Sequence, residues 1–247
     1  MVNLDPFIKR LTRDISSLPE ARMKASLLGQ RLSLLSPGEA ACALDSLYNE
    51  ASAHLPEFMI TKMVLVDSAV VMEALGEEKK RLIYLASLEM GLKRVSRLLT
   101  DLPPYKRGIG GYDKEEEGQM EFITLGERRA MARGWIKDRL DRLLSDPDPT
   151  VVSHLLNNPR ITEKEVAKIA SKRPNSQEIL RLLATHRRWG SRYNVKKALV
   201  QNPYTPPRVS LGLLEFLFSQ DLREIAEDGS LHPQVRVAAR EALDKRG

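Results

Sequence analysis

Between residues 146 and 207 the apolar positions form short stripes that are separated by proline. The first stripe has the spacing i, i+1, i+4 and i+5, which is one face of a short helix, and consists of Val151, Val152, Leu155 and Leu156. Asn157-Asn158-Pro159 follows this stripe. Because proline lacks an N–H and disfavours helix at the residue before it, we predict that the helix ends there.

The same pattern returns once, in a weaker form, later in the chain. Four residues of the second copy match Val151, Leu155, Asn158 and Pro159 at one constant spacing: Val195, Leu199, Asn202 and Pro203. Helices this short are not stable alone in water, so each must bury its stripe against neighbouring helices. The repetition therefore predicts stacked helices in which Leu155 and Leu199 are both buried.

Helix starts are marked by capping boxes, in which a Ser or Thr is followed three residues later by Glu. The boxes occur at Ser36–Glu39, Thr124–Glu127 and Thr162–Glu165. In the second copy, Thr205 is predicted to cap a helix whose first residue is Pro206.

Two segments of the repeat region resemble known families. Val-Lys-Lys-Ala-Leu-Val-Gln-Asn-Pro-Tyr-Thr-Pro-Pro-Arg-Val at 195–209 resembles the leucine-rich repeat variant, and 233–243 resembles the second helix of a HEAT repeat. The resemblance covers about residues 124–247. It implies an α-solenoid, which is a stack of helices with an extended surface for partners.

The remainder of the chain predicts an all-α protein with a bundle-like N-terminal helical unit at 1–100. Within it, leucines from Leu82 to Leu99 predict one long helix over 77–99. Residues 101–122 combine Pro, Gly and a charge run without periodicity, which predicts a linker or long loop. The helical repeat domain is predicted at 123–247, and its first stripe is expected to begin at Trp135 and Ile136.

Composition narrows the classes of function. The formal net charge of +6 allows an acidic protein or a nucleic acid as the partner. The one cysteine, Cys42, lies among alanines and is expected to be buried, and it gives no intramolecular disulfide. No signal peptide and no apolar run of membrane-spanning length are expected, so we predict a cytoplasmic protein.

Catalytic and metal-binding motifs are not found in the sequence. The four histidines are scattered, and none is paired with His or Cys at the spacing of metal ligands. There is no Gly-x-Ser-x-Gly and no His-Glu-x-x-His. We therefore expect no enzyme, no catalytic residues, no cofactor and no metal.

The best candidate for a binding site is the basic and aromatic stretch at 186–197. Its proposed partner-binding residues are Arg187, Arg188, Trp189, Arg192, Tyr193, Lys196 and Lys197, and no acid lies between them. Arg and aromatic residues are enriched at binding hot spots, and they also suit phosphates and base stacking. The alternative is that Trp189 fills a gap between helices while the cations form a solvated face.

Two further questions stay open from the sequence. Asn158 and Asn202 either cap helices through local hydrogen bonds or form a polar ladder along the inner face of the repeats. As for function, we expect a non-enzymatic protein–protein interaction scaffold or adaptor with a protein partner, for example an acidic one. The alternative is a nucleic-acid-binding, HEAT-like protein of the DNA-repair type, similar to the HEAT-like alkylpurine glycosylases.

Overall fold

A computed structural model describes residues 5–49, 55–66, 68–107 and 123–246. These residues contain sixteen α-helices and no β-strand, which confirms the all-α prediction. The chain divides into two compact units, one formed by Met1–Leu102 with Leu211–Leu213 and the other by Pro103–Ser210 with Leu214–Gly247. Most of the predicted linker, residues 108–122, lies outside the described residues, so the linker stays a prediction.

Seven helices form the first unit. They are α1 (Asp5–Ser17), α2 (Ala21–Ser33), α3 (Pro37–Asn49), α4 (Pro56–Val66), α5 (Ser68–Leu75), α6 (Glu77–Glu89) and α7 (Lys93–Leu99). Helix α2 packs on α5, α3 packs on α6, and α1 packs on α4. At Gly29, an added Cβ would lie 2.5 Å from the Ala74 Cβ and 2.7 Å from the Val71 carbonyl oxygen. Only glycine therefore fits at this crossing of α2 and α5.

The predicted helix over 77–99 is wrong, because the structure has two helices there. Gly91 has a φ of 68°, a left-handed conformation that favours glycine and ends the helix. The face that α6 buries is also not the leucine face, since Ile83 and Ser87 are inaccessible. Leu82, Leu85 and Leu88 are 43%, 43% and 51% exposed.

Nine helices follow from residue 125 onward. They are α8 (Leu125–Arg133), α9 (Lys137–Arg142), α10 (Pro149–Asn157), α11 (Glu163–Ser171), α12 (Gln177–Thr185), α13 (Tyr193–Val200), α14 (Pro207–Leu214), α15 (Ser219–Glu227) and α16 (Pro233–Asp244), and a 3₁₀ turn at Leu143–Ser145 follows α9. Helix α10 packs on both α8 and α12, and α11 packs on the 3₁₀ turn and on α13. Leu155 and Leu199 are both fully buried, as the repeat predicted. A solenoid arrangement of these helices stays a prediction.

The capping boxes form where the sequence places them. At Ser36 and Thr124, the backbone N–H donates to the carboxylate of Glu39 or Glu127 over 2.9 and 2.8 Å. The backbone N–H of Thr162 donates to Glu165 in the same way, over 2.8 Å. At each of these helix starts, the capping box therefore supplies a partner for a backbone N–H that has none within the helix.

Three local predictions are corrected by the structure. Trp135 and Ile136 are 66% and 53% exposed, so the buried stripe of this segment starts at Leu140 instead. Cys42 is only partly buried. The helix after Thr205 begins at Pro207, one residue later than predicted, and the Thr205 hydroxyl donates to the Leu199 carbonyl over 2.7 Å.

Candidate binding surface at the turn between α12 and α13

The turn that joins α12 to α13 is fixed from within by backbone contacts. The N–H groups of Trp189 and Gly190 donate to the His186 carbonyl over 3.2 and 2.8 Å. A Cβ at Gly190 would lie 2.2 Å from the Ala184 carbonyl oxygen, so no other residue fits there without a shift of the backbone. The turn is therefore a defined support for its outward-facing side chains.

Trp189 holds this turn against the end of α10. Its side chain is 2% exposed, and its indole Nε1–H donates to the Leu156 carbonyl over 2.8 Å. That carbonyl is in the last turn of α10, where backbone acceptors have no partner within the helix. Trp189 therefore fills the space between helices and satisfies a helix end, and only its neighbours are left to face a partner.

Lys196 does not face solvent, contrary to the helical placement predicted from the sequence. It is 9% exposed, and its Nζ lies 4.5 Å from the centre of the Phe216 ring. Burial lowers the pKa of Lys196, because the charged ammonium loses hydration there. A macromolecular partner would have little access to this cation.

Side chains of α15, and of Phe218 directly before it, contact Tyr193 and Lys197. The Lys197 ammonium lies 2.7 Å from Asp221 and 3.1 Å from Glu224. Hydrogen bonding to Asp221 raises the pKa of Lys197 above its ordinary value. The Tyr193 hydroxyl also donates to Asp221, and its ring stacks on Phe218 with centroids 4.5 Å apart.

Burial and the hydrogen bond to Asp221 both raise the pKa of the Tyr193 hydroxyl. Burial alone would raise the pKa of Asp221, but the hydrogen bonds from Lys197 and Tyr193 outweigh it and hold that pKa below its ordinary value. The three side chains thus form a neutralised cluster, and this cluster ties α13 to α15.

Three exposed arginines remain on the predicted stretch: Arg187, Arg188 and Arg192. We call them the arginine rim. The Arg188 guanidinium lies 4.1 Å from the centre of the Trp189 ring, a cation–π contact that orients it. Among the described residues, no side-chain hydrogen bond or ion pair occupies the guanidinium groups of Arg187 and Arg192.

Beside the rim lies an open cleft of about 330 Å³. It is lined by Leu156, Asn157, His186, Arg187 and Arg188. Burial, and next the charge of Arg188, lower the pKa of His186 and so favour its neutral imidazole. Since Nδ1 accepts the Arg188 N–H over 3.2 Å, the ring proton lies on Nε2. The cleft therefore combines one neutral donor with two cations.

Sequence reasoning missed Leu156, Asn157 and His186 as parts of this site. Leu156 and Asn157 belong to the end of α10, which is distant in sequence and comes close only because α10 packs on α12. No local pattern marks them. His186 was part of the basic stretch, but it had no spacing that indicates a site.

Asn158 and Asn202 make the local backbone hydrogen bonds that the sequence predicted, and the alternative of a polar ladder along an inner face stays a prediction. Each is buried, and each side-chain oxygen accepts a local N–H, from Arg160 over 2.9 Å or from Tyr204 over 3.1 Å. The amide of Asn158 donates to the carbonyls of Ala132 and Gly134 at the end of α8, both over 2.8 Å.

In the same way, the amide of Asn202 donates to the carbonyls of Ala170 and Lys172 at the end of α11, over 2.7 and 2.9 Å. Each asparagine thus closes its own turn and the end of an earlier helix. Trp189 has the same relation to α10.

Within the described ranges, no three His, Cys, Asp or Glu side chains are grouped in a way that suits a metal ion. In those same ranges, no helix has both the length and the apolar character needed to cross a membrane. The fold and this surface thus define an all-α protein with an arginine-rimmed cleft. No family model, no curated protein and no solved structure matches the chain.

Proposed function

We propose that the chain is a non-enzymatic, cytoplasmic interaction scaffold, and that its arginine rim binds an acidic segment of a partner protein. The observation that carries the proposal is the exposure of three nearby arginines, of which Arg187 and Arg188 line the cleft at the end of α10 and Arg192 follows in the same turn. Guanidinium groups bind carboxylates through two parallel hydrogen bonds, which gives geometric specificity as well as attraction.

The rigidity of the support favours this function. Trp189 anchors the turn from below, and the cluster of Tyr193, Lys197 and Asp221 anchors the start of α13. A preorganised cationic rim loses less conformational entropy when it binds. The residues that lose solvent exposure therefore still contribute, because they position the rim.

Nucleic-acid binding is the alternative function. It draws support from Trp135, which is 66% exposed with the Arg160 guanidinium 5.7 Å from its ring centre, an arrangement suited to base stacking. At the arginine rim, however, both aromatic residues are already engaged, Trp189 by burial and Tyr193 by Phe218. We therefore favour the acidic protein partner.

The test is direct binding of labelled probes to the full chain, measured by fluorescence anisotropy at low and at physiological salt. The probes are an Asp- and Glu-rich peptide, its Asn and Gln counterpart, and a DNA oligonucleotide in single-stranded and duplex form. Arg187→Glu, Arg188→Glu and Arg192→Glu together should weaken acidic-peptide binding on the order of tenfold or more, mainly through slower association.

The matched control is charge reversal at three exposed cations away from the rim, Lys164 and Lys168 on α11 and Arg139 on α9. This control should leave peptide binding unchanged. Equal loss in both variants would mean that only net charge matters, and no peptide binding at all would refute the proposed site. Tight DNA binding that falls steeply with salt would favour the alternative function.

A further inference from the structure

Helix α6 presents an apolar face to solvent within the first unit. Leu82, Leu85 and Leu88 are each more than two-fifths exposed, whereas Ile83 and Ser87 on the opposite side are fully buried. Successive residues of a helix are rotated by about 100°, so these three leucines fall within one stripe centred on Leu85. Contiguous apolar stripes of this kind mark interaction surfaces more often than isolated exposed leucines do.

The stripe is its own complement when the helix is reversed. Three residues before Leu85 is Leu82, and three residues after it is Leu88. Four residues before it is Arg81, and four residues after it is Glu89, both exposed. When the helix is reversed about Leu85, each leucine of this face therefore takes the place of the other leucine, and the arginine and the glutamate exchange places.

We propose that this face binds a second copy of the chain, with the two α6 helices antiparallel and the two-fold axis beside Leu85. In such a pair, each residue lies level with the residue at the same distance on the other side of Leu85 in the partner. Leu82 then lies level with Leu88, and Arg81 with Glu89, twice in one symmetric interface. Among the described residues, neither Arg81 nor Glu89 is already held in an ion pair.

Apolar exposure continues past both ends of the stripe. Met90, directly after α6, is 42% exposed, and Leu34 is 78% exposed. The turn that carries Leu34 lies beside the start of α6, because the Lys79 ammonium donates to the Leu35 carbonyl. These residues would enlarge the interface that the three leucines begin.

Charge complementarity favours a second copy over an unrelated partner. An unrelated partner that binds through apolar contacts would not require a face that is symmetric in both its apolar and its charged positions. Polar flanks of opposite sign also set the direction of helix pairs, here antiparallel, since a parallel pair would place Arg81 level with Arg81 and Glu89 level with Glu89.

The experiment is sedimentation equilibrium on the full chain over a broad concentration series, with circular dichroism to check folding. The wild type should show a concentration-dependent dimer. Leu85→Glu places two carboxylates beside the axis and should raise the dimer dissociation constant by a hundredfold or more. The same substitution at exposed Val237, as Val237→Glu, is the control and should leave the dissociation constant unchanged.

The charge pairs give a second test, which does not depend on packing. Arg81→Glu alone and Glu89→Arg alone each create like-charge contacts, and each should weaken the dimer by tenfold or more. The double variant restores opposite charges and should recover most of the loss. If the double variant loses as much dimerisation free energy as the two single variants lose together, the antiparallel register is refuted.

A covalent test locates the axis. Leu85→Cys in a Cys42→Ala background should form an intermolecular disulfide under mild oxidation, whereas Leu34→Cys in the same background should form far less. A wild type that stays monomeric at every concentration overturns the proposal, as does a dimer that Leu85→Glu leaves intact.

Discussion

The two units differ in how their helices are joined. In the first unit, the buried hydroxyls of Thr12 and Thr61 bond carbonyls of their own helices, and long charged side chains such as Arg31 and Lys79 reach other elements. In the second unit, Asn158, Trp189 and Asn202 each bond the end of a different helix. The comparison teaches that short helices can be joined end to end by buried donors, whereas longer helices rely mainly on their packed faces.

The largest effect on stability is expected when buried leucines are truncated, because apolar packing stabilises both units. Leu155→Ala and Leu199→Ala should each lower the free energy of unfolding by about 2–5 kcal/mol, because each removes a fully buried leucine. Urea denaturation followed by circular dichroism measures the change.

Met23→Ala is the control from the first unit. This methionine is 46% exposed and lies outside the proposed α6 interface, so its truncation should change stability by no more than about 0.5 kcal/mol. A near-zero effect at both repeat leucines would show that the two copies are not equivalent parts of a packed core.

The joining bonds themselves are tested by Asn158→Ala and Asn202→Ala. Each change leaves buried carbonyls of an earlier helix without their donor, and should cost about 1–3 kcal/mol. Asn157 offers a control one residue away, since it is exposed and its amide bonds only Ser153 of its own helix. If Asn157→Ala destabilised the protein as much as Asn158→Ala, the distant bonds would not be the cause.

The two tryptophans allow the smallest effect to be measured. Trp189→Phe keeps an aromatic ring but leaves the buried Leu156 carbonyl without its donor, and should cost about 1–3 kcal/mol. Trp135→Phe, at a side chain 66% exposed, should change stability by less than half as much.

Intrinsic fluorescence checks the placement of the two rings independently. Trp135 should be the tryptophan that acrylamide quenches readily, whereas Trp189 should be protected. The opposite quenching pattern would contradict the anchor at the end of α10.

Several helix boundaries were predictable because the chain carries its own stop and start signals there. Asn-Pro at 158–159 and the box at Thr162–Glu165 act within a few residues, so their effect can be inferred without knowledge of the fold. The leucines of α6 were misread because leucine spacing indicates an apolar face but does not indicate what covers it. Ile83, which has the buried position, gives no stronger signal than Leu82.

The candidate surface was predictable in composition but not in exposure. Lys196 follows the buried Val195, and its burial depends on Phe216, whose position on the folded chain no local pattern gives. Lys197 differs from Lys196 only by one step around the helix, yet it meets two carboxylates of α15. The sequence alone therefore could not distinguish the exposed arginines from the lysines that contact other side chains. That distinction depends on how α13 packs against later elements.

The donors that close these helix ends come later in the chain than the helices they close. During synthesis on the ribosome, α8 emerges before Asn158, α10 before Trp189, and α11 before Asn202. A nascent chain halted before Asn202 therefore has the Ala170 and Lys172 carbonyls without their side-chain donor, although α11 itself is complete. The order of translation thus sets the order in which these hydrogen bonds form. Each helix end gains its side-chain donor only when a later turn has left the ribosome.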